Sequence, residues 1–349
     1  MKRIKEFLRK KDISLSAKRY FVDAMGAMAQ GLFATLLMGT ILKTLGEYTN
    51  WTFLIEAAAF ATKATGAVLG LSVAFSLKAP PLVLYSSSVV GLIGYELGMA
   101  YGAGMLTAGP AGSFLTVLVA CEIGKIVSKE TKIDIIVTPA AVILAGFGVA
   151  KLICGPIAWV MAELGNFINT ATELQPVLMG IIISAVVGII LTLPISSAAI
   201  CAMIGISGIA GGAAAAGCCA QMIGFAVISF KENKWGGLVA QGLGTSMLQM
   251  GNIVKNPRIW IPVTLASMIT GPLASAVFSL KCSGVSAGMG TCGLVGPLGI
   301  ISATDEKGVM FWVGLVLICF LLPAVLSLIF SEILRKIGWI KENDMKLDL

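Results

Sequence analysis

Apolar runs long enough to cross a bilayer recur along this chain from Phe21 to Phe330, and they limit its architecture more than any motif does. Clear cases are residues 26–42, 177–199, 260–280 and 309–330. A helix needs about 20 such residues to span the hydrocarbon. The chain is 57% hydrophobic and 12% charged, with a mean hydropathy of +0.93; soluble domains carry about 25% charged residues. A β-barrel would show strands of about ten residues with alternating polarity, and no such alternation is present. The expected fold is an all-α integral membrane protein.

The net charge of +7 does not point to nucleic acid, because of where it sits. Eight of the 25 Lys and Arg fall in residues 1–19, "MKRIKEFLRKKDISLSAKR". This basic arm has no signal-type cleavage site and is expected to be retained. Basic residues near membrane ends stay cytoplasmic and attract anionic lipid heads. The eight cysteines stand singly or as the vicinal pair Cys218–Cys219, inside apolar sequence and with no histidine anywhere. They read as small buried hydrophobes, and no metal site or cofactor is expected.

Spans are expected near 21–45, 53–77, 82–106, 111–128, 138–162, 176–196, 259–280 and 309–332, with a polar loop after 162. The basic clusters around Lys125, Lys231, Lys255 and Arg335 share the side of the N-terminus if the stretch 197–230 crosses and returns. That gives about ten crossings, a transmembrane domain over 20–335 and a cytoplasmic tail at 336–349. A weak internal echo accompanies this order. "LKAPPLVL" faces "VKNPRIWI", and "GMAYGAGMLTAGPAG" faces "GMGTCGLVGPLG". Two repeats, 20–130 and 176–330, would then be related, inverted if each holds an odd number of crossings. Glycine-rich apolar sequences also produce such an echo by chance.

The segment 283–299, "SGVSAGMGTCGLVGPLG", holds six glycines and no charge. Glycine costs about 1 kcal/mol against alanine inside a helix, so its density here needs a reason. Non-helical backbone survives at membrane depth only where protein or a wet cavity satisfies it. Paired Gly-Pro-interrupted segments are the best sequence pointer to a transporter's substrate site. Residues 283–299, with Gly288, Gly290, Thr291 and Gly293, and the matching 98–112 are therefore expected to be broken or re-entrant elements. The run 205–217 is expected to serve tight helix packing instead.

Ionisable groups inside spans are functional candidates by default. Glu56, Lys63, Glu96, Glu122 and Lys151 qualify. Glu56 and Glu96 are expected to line the substrate path, whereas Glu122 and Lys125 are expected to snorkel to the cytoplasmic surface. Gln241, Thr245, Gln249 and Asn252, spaced 4, 4 and 3, form one helical stripe. Amides and hydroxyls donate and accept, which fits a neutral polyol and fits a polar face at the membrane surface equally. Ser196 and Ser197 after Pro194 read as a helix cap. Without histidine, Ser-His and Cys-His devices are excluded, and no GxxxxGK[ST] loop exists for ATP. No catalytic site is expected.

Four stretches together resemble the EIIC-like membrane proteins of the bacterial phosphotransferase system: "KIVSKETKIDIIVTPAAVILAG", "LTLPISSAAICAMIG", "GNIVKNPRIWIPVTLASMITGPLASAVF" and "GMGTCGLVGPLG". The closer likeness is to the branch that includes regulators of perfringolysin-type toxin expression. The resemblance implies a homodimeric translocator in the bacterial cytoplasmic membrane that passes a sugar inward to a separate EIIB protein for phosphorylation. It also implies that residues 252–257, with Asn252 and Asn256, and 288–299 face the substrate path. The glucose-type sites of the family use a glutamate and a histidine, and this chain has no histidine. No EIIA or EIIB domain is expected after Trp339. The reading is a permease for a small polar molecule. Two alternatives stand beside it, a membrane-embedded ligand sensor and a secondary transporter independent of phosphotransfer.

Overall fold

The computed structural model describes residues 2–13, 16, 18–101, 104–304 and 307–347. A short helix α1 (Lys2–Lys10) precedes α2 (Arg19–Thr49), which contains π turns at Arg19–Asp23 and Phe33–Leu37. Asn50, left-handed at φ 54°, ends α2. Helices α3 (Thr52–Lys63) and α4 (Thr65–Ser76) form a pair bent by 51°. Helix α5 (Pro81–Glu96) starts with Pro81 in its first turn, where a missing N–H costs nothing.

The first glycine-rich segment is not helical. It folds as an antiparallel hairpin, β1 (Gly98–Tyr101) and β2 (Gly104–Thr107), with Gly98 opposite Thr107. Residues 102 and 103 of that segment lie outside the described residues. Gly109, at φ +57°, then opens α6 (Gly109–Val127). Helix α7 (Asp134–Thr172) runs for 39 residues.

The rest of the chain brings α8 (Pro176–Thr192), α9 (Ser197–Met203), α10 (Gly208–Ile228) and α11 (Phe230–Val239). They are followed by α12 (Met250–Lys255), α13 (Pro257–Val277), α14 (Gly284–Ala287), α15 (Cys292–Ala303) and α16 (Val309–Lys336). Ser196 caps α9 by accepting from the Ala199 N–H at 3.2 Å, as its sequence position predicts.

Two compact units divide the chain. The first comprises residues 1–36 and 59–161, the second 37–58 and 162–349. In the first, α4 packs against the start of α2 and against α5, and α5 packs on α6. Glycine makes these approaches possible. A Cβ at Gly70 would come within 2.9 Å of the Ser87 carbonyl carbon, and one at Gly94 within 2.7 Å of the Gly112 oxygen.

The basic arm is pinned to this unit by Lys125, whose side chain is 1% exposed. The Lys125 ammonium meets the Glu122 carboxylate at 3.3 Å and donates to the Asp12 carbonyl at 3.1 Å. Tyr20 donates to the same carboxylate at 3.0 Å. Arg19 donates to the Leu77 carbonyl at 2.6 Å and to Asp12 at 2.9 Å. Snorkelling was the expectation for Lys125. Instead the arm covers it, and the arm's own backbone supplies the polar partner that water would have been. The Arg19 guanidinium bonded to Asp12 holds that carboxyl below its ordinary value of 3.8. A lowered pKa adds stability that is present above the ordinary value and lost as pH falls through the shifted one. This contact is therefore at full strength at neutral pH.

In the second unit α10 is the central helix, packed by α8, α13 and α16, and most of its residues are buried. Its small residues serve contact, as the sequence predicts. A Cβ at Gly217 would lie 2.6 Å from the Ser184 backbone, and Gly211 and Gly212 leave only 2.7 Å to the carbonyl carbons of Cys282 and Leu280. All eight cysteines are buried.

Among the described residues, six helices are long and apolar enough to cross a membrane, or seven if the bent α3–α4 pair is one span. The expected ten is not reached on these criteria. The stretch 197–230 holds one helix of that length, not two. Its first helix, α9, has seven residues, about 10 Å at 1.5 Å per residue, and only α10 is long enough. The polar stretch after 162 is no loop either, since α7 continues to Thr172.

Two predictions follow from this packing. Gly217→Ala should destabilise the detergent-solubilised protein by about 1–3 kcal/mol through overpacking. Gly148→Ala, where a Cβ meets nothing within 4 Å, should be neutral or stabilise by up to about 1 kcal/mol. Chemical unfolding of both variants checks the pair, and equal effects would refute the packing role. Lys125→Ala should speed trypsin cleavage of residues 9–18 several-fold at neutral pH, and an unchanged cleavage rate would show that the arm is held by other contacts.

Candidate functional site

The second glycine-rich segment is bent backbone packed inside the second unit. The Cys282 N–H donates to the Gly208 carbonyl at 3.1 Å and the Gly284 N–H to the Ile206 carbonyl at 2.9 Å. Ser197 donates to the Gly288 carbonyl at 2.7 Å, and Thr291 to the Gly242 carbonyl at 2.5 Å. The bend that follows α14 and runs into the first turn of α15 requires left-handed residues at Gly290 (φ 54°), Gly293 (φ 52°) and Leu294 (φ 61°). It closes with the Gly296 N–H on the Gly290 carbonyl at 2.7 Å. Gly288, Gly290, Thr291 and Gly293 are all buried. Gly288 and Gly290 face backbone, since Cβ atoms there would lie 2.6 Å from the Ser197 oxygen and 2.7 Å from the Cys218 carbonyl carbon. Gly293 faces Ile41 at 3.3 Å.

The amide stripe forms, though not on one helix. A π turn at Ala240–Gly244 ends at Thr245, which is extended at φ −159°. A 3-10 turn, Ser246–Gln249, then leads into α12. Thr245 turns aside to accept from the Met247 N–H at 3.1 Å. The amides still link up. Gln241 donates to Ser229 at 2.9 Å, Gln249 to Gln241 at 2.9 Å, and Asn252 to Gln249 at 2.8 Å. Gln241 also donates to the Gly237 carbonyl at 3.0 Å, while the next amides reach residues 339–346. Gln249 donates to the Met345 carbonyl at 3.0 Å, Asn252 to the Lys346 carbonyl at 2.8 Å, and Asn256 to the Trp339 carbonyl at 3.0 Å and the Asp344 carboxylate at 2.7 Å.

A second polar group, not picked out from the sequence, centres on Gln221 of α10. Its Oε1 accepts from the Trp260 indole at 3.0 Å and from Thr192 at 3.2 Å, while its Nε2 donates to Thr264 at 3.3 Å. Thr192 also shares a hydrogen bond with Ser246 at 2.8 Å. Gln221, Thr192 and Ser246 are fully buried. The signal was available, because Gln221 is the single amide in the 21-residue α10. A polar group in such a span is costly unless it is paired. Two neighbouring helices supply that pairing, α8 with Thr192 and α13 with Trp260 and Thr264, and Ser246 from the turn before α12 extends it through Thr192.

The two carboxylates expected on the substrate path are exposed and belong to different units, Glu56 on α3 to the second and Glu96 at the end of α5 to the first. Amide, hydroxyl and indole groups are thus what the second unit brings together. They can exchange hydrogen bonds with a neutral polar solute, and they offer neither a nucleophile paired with a base nor a charged acid–base pair.

A family model described as "Phosphotransferase system, EIIC" matches residues 22–347. No curated protein matches the chain, and no solved structure does. The matched span takes in the hairpin, both glycine-rich segments, the Gln221 group and the amide chain, and the protein is a member of the EIIC family of the phosphotransferase system, a multi-pass membrane component of that transport machinery.

Proposed function

We propose that this EIIC protein carries a small hydroxyl-rich molecule, a sugar or polyol, across the cytoplasmic membrane, and that the Gln221 group is where the solute is recognised. The observation that supports this most is the composition of that group. One amide, three hydroxyls and an indole are held within 3.3 Å of one another along a connected circuit. Hydroxyls and amides accept and donate alike, so a sugar hydroxyl can insert into the circuit, donating to one member and accepting from the next, without stranding a buried polar atom. Binding sites of this kind combine an apolar or aromatic lining with a few placed polar groups. The buried segment 288–293 supports the circuit from beside it, because Thr291 fixes the Gly242 carbonyl just before Ser246. Glu56 and Glu96 have no part in this reading.

On the same reading the basic arm lies on the cytoplasmic side among anionic lipids, the protein works as a homodimer, and a separate EIIB protein phosphorylates the solute as it arrives. Helices α5 and α8, at 16 and 17 residues, complete further crossings with the help of adjoining segments. This brings the number towards ten and leaves room for an inverted repeat between 20–130 and 176–330.

A melting-temperature screen of the purified protein against sugars, polyols, nucleosides and organic acids tests the proposal. A ligand at one hundred times its Kd should stabilise by about 2.7 kcal/mol. A carbohydrate should produce the shift, and Gln221→Leu should abolish it while the ligand-free protein still unfolds cooperatively. An unaltered shift in that variant would move the site elsewhere. A shift produced only by another solute class would overturn the sugar assignment.

A further inference from the structure

After α16 the chain does not trail away. It turns at Gly338 (φ 80°) and lies along the amide chain of the second unit. Asn233 of α11 grips it in both directions, donating to the Met345 carbonyl at 2.8 Å and accepting from the Leu347 N–H at 2.8 Å. Gln249, Asn252 and Asn256 add the contacts to Met345, Lys346, Trp339 and Asp344 given above. Five of these six side-chain contacts are to main-chain atoms and one is to the Asp344 carboxylate. Asp344 also accepts from the Lys341 N–H at 2.8 Å, which shapes the turn. Met345 is fully buried and Ile340 is 2% exposed, so two apolar anchors accompany the polar ones. Arg258 sits 5.2 Å from the centre of the Trp339 ring.

The segment is turned, with Asn343 left-handed at φ 66°, and it is held in the manner of a bound peptide. Main-chain bonds give affinity, and pockets for selected side chains give specificity. One face of the segment is engaged in that way. The other borders an open cleft of about 780 Å³ lined by Lys231, Glu232, Arg335, Lys341 and Lys346 among others. On that side Glu232 pairs with Arg335 at 2.9 Å through Oε1, and its buried Oε2 has no partner among the described residues. The segment is therefore clasped along one edge and not sandwiched.

We propose that Asn233, Gln249, Asn252 and Asn256 form a peptide-binding groove, and that residues 339–347 are its built-in and displaceable occupant. Hydrogen bonds gained on docking are offset by backbone and side-chain freedom lost, two quantities of similar size, so the segment exchanges between docked and free. While docked it uses the donors of Gln249 and Asn252. Once free it leaves those amides open to water, a polar solute or a second peptide. This inference concerns the groove and its occupant, and holds or falls independently of the transported solute.

The test uses a fluorescently labelled synthetic peptide of residues 339–349. Its binding is compared across the intact chain, a chain ending at Gly338, and a full-length Met345→Asp variant that removes the apolar anchor while keeping every other residue. Both variants should bind the peptide saturably, at least tenfold more tightly than the intact chain. Adding Asn233→Ala and Asn252→Ala to the shortened chain should weaken its binding at least tenfold. Equal binding by all three proteins, or no binding by any, would overturn the proposal. Loss of cooperative unfolding in both variants would also overturn it, by making the segment part of the fold itself.

Discussion

Backbone has to come close to backbone in this protein, and much of the second unit depends on it. Water drives helices together in a soluble domain, but within a bilayer lipid tails are as apolar as the side chains. Association then relies on contact at short range and on polar pairing. Helix α10 meets that requirement with Gly211, Gly212 and Gly217, which face the backbones of Cys282, Leu280 and Ser184. Short range has a second effect. It brings α8 and α13 near enough for Gln221 to reach Thr192, Trp260 and Thr264 together. The small residues and the polar centre are two sides of one arrangement, since a longer side chain at Gly217 would push α8 away from the amide one turn further on.

The sequence made the broad architecture readable because hydrophobic length is a strong, local signal. The starts and ends of α6, α13 and α16 fall near the ends of their apolar runs, and the packing role of 205–217 follows from its small residues. Features with weak local signals were lost. The hairpin after Glu96 has strands of four residues, too few for a period of two to stand out among glycines. The turn between α9 and α10 depends on left-handed Gly205 and Gly208, and nothing in an apolar Gly/Ala run marks which glycine will bend. Helix α7 carries Pro139 and Pro156 and a polar end, all of which argue locally for interruption, yet the helix runs through them.

The candidate site shows the same division. Spacings of 4, 4 and 3 identified Gln241, Gln249 and Asn252 as companions, and they are. The spacing could not show that Thr245 breaks the helix between them. Nor could it show what they bind, because amides that hold main-chain atoms leave no complementary residue type in the segment they hold. Gln221 was legible in principle, as a solitary amide in a Gly/Ala span. The neighbouring glycines mask it, because they account for that span on their own. Lys125 went wrong for a related reason: snorkelling assumes that water is the nearest polar partner, and here the nearest is the chain's own first dozen residues.

The length of α7 carries one more consequence. Its 39 residues extend for about 58 Å at 1.5 Å per residue, against a hydrocarbon core about 30 Å thick. Even a steep tilt cannot hide that excess, so several turns stand in water. The polar end does so most naturally, with Glu163, Asn166, Asn169 and Thr170 on a stretch that belongs to no apolar run. Such a polar helical stretch marks one face of the membrane for any reagent confined to that face.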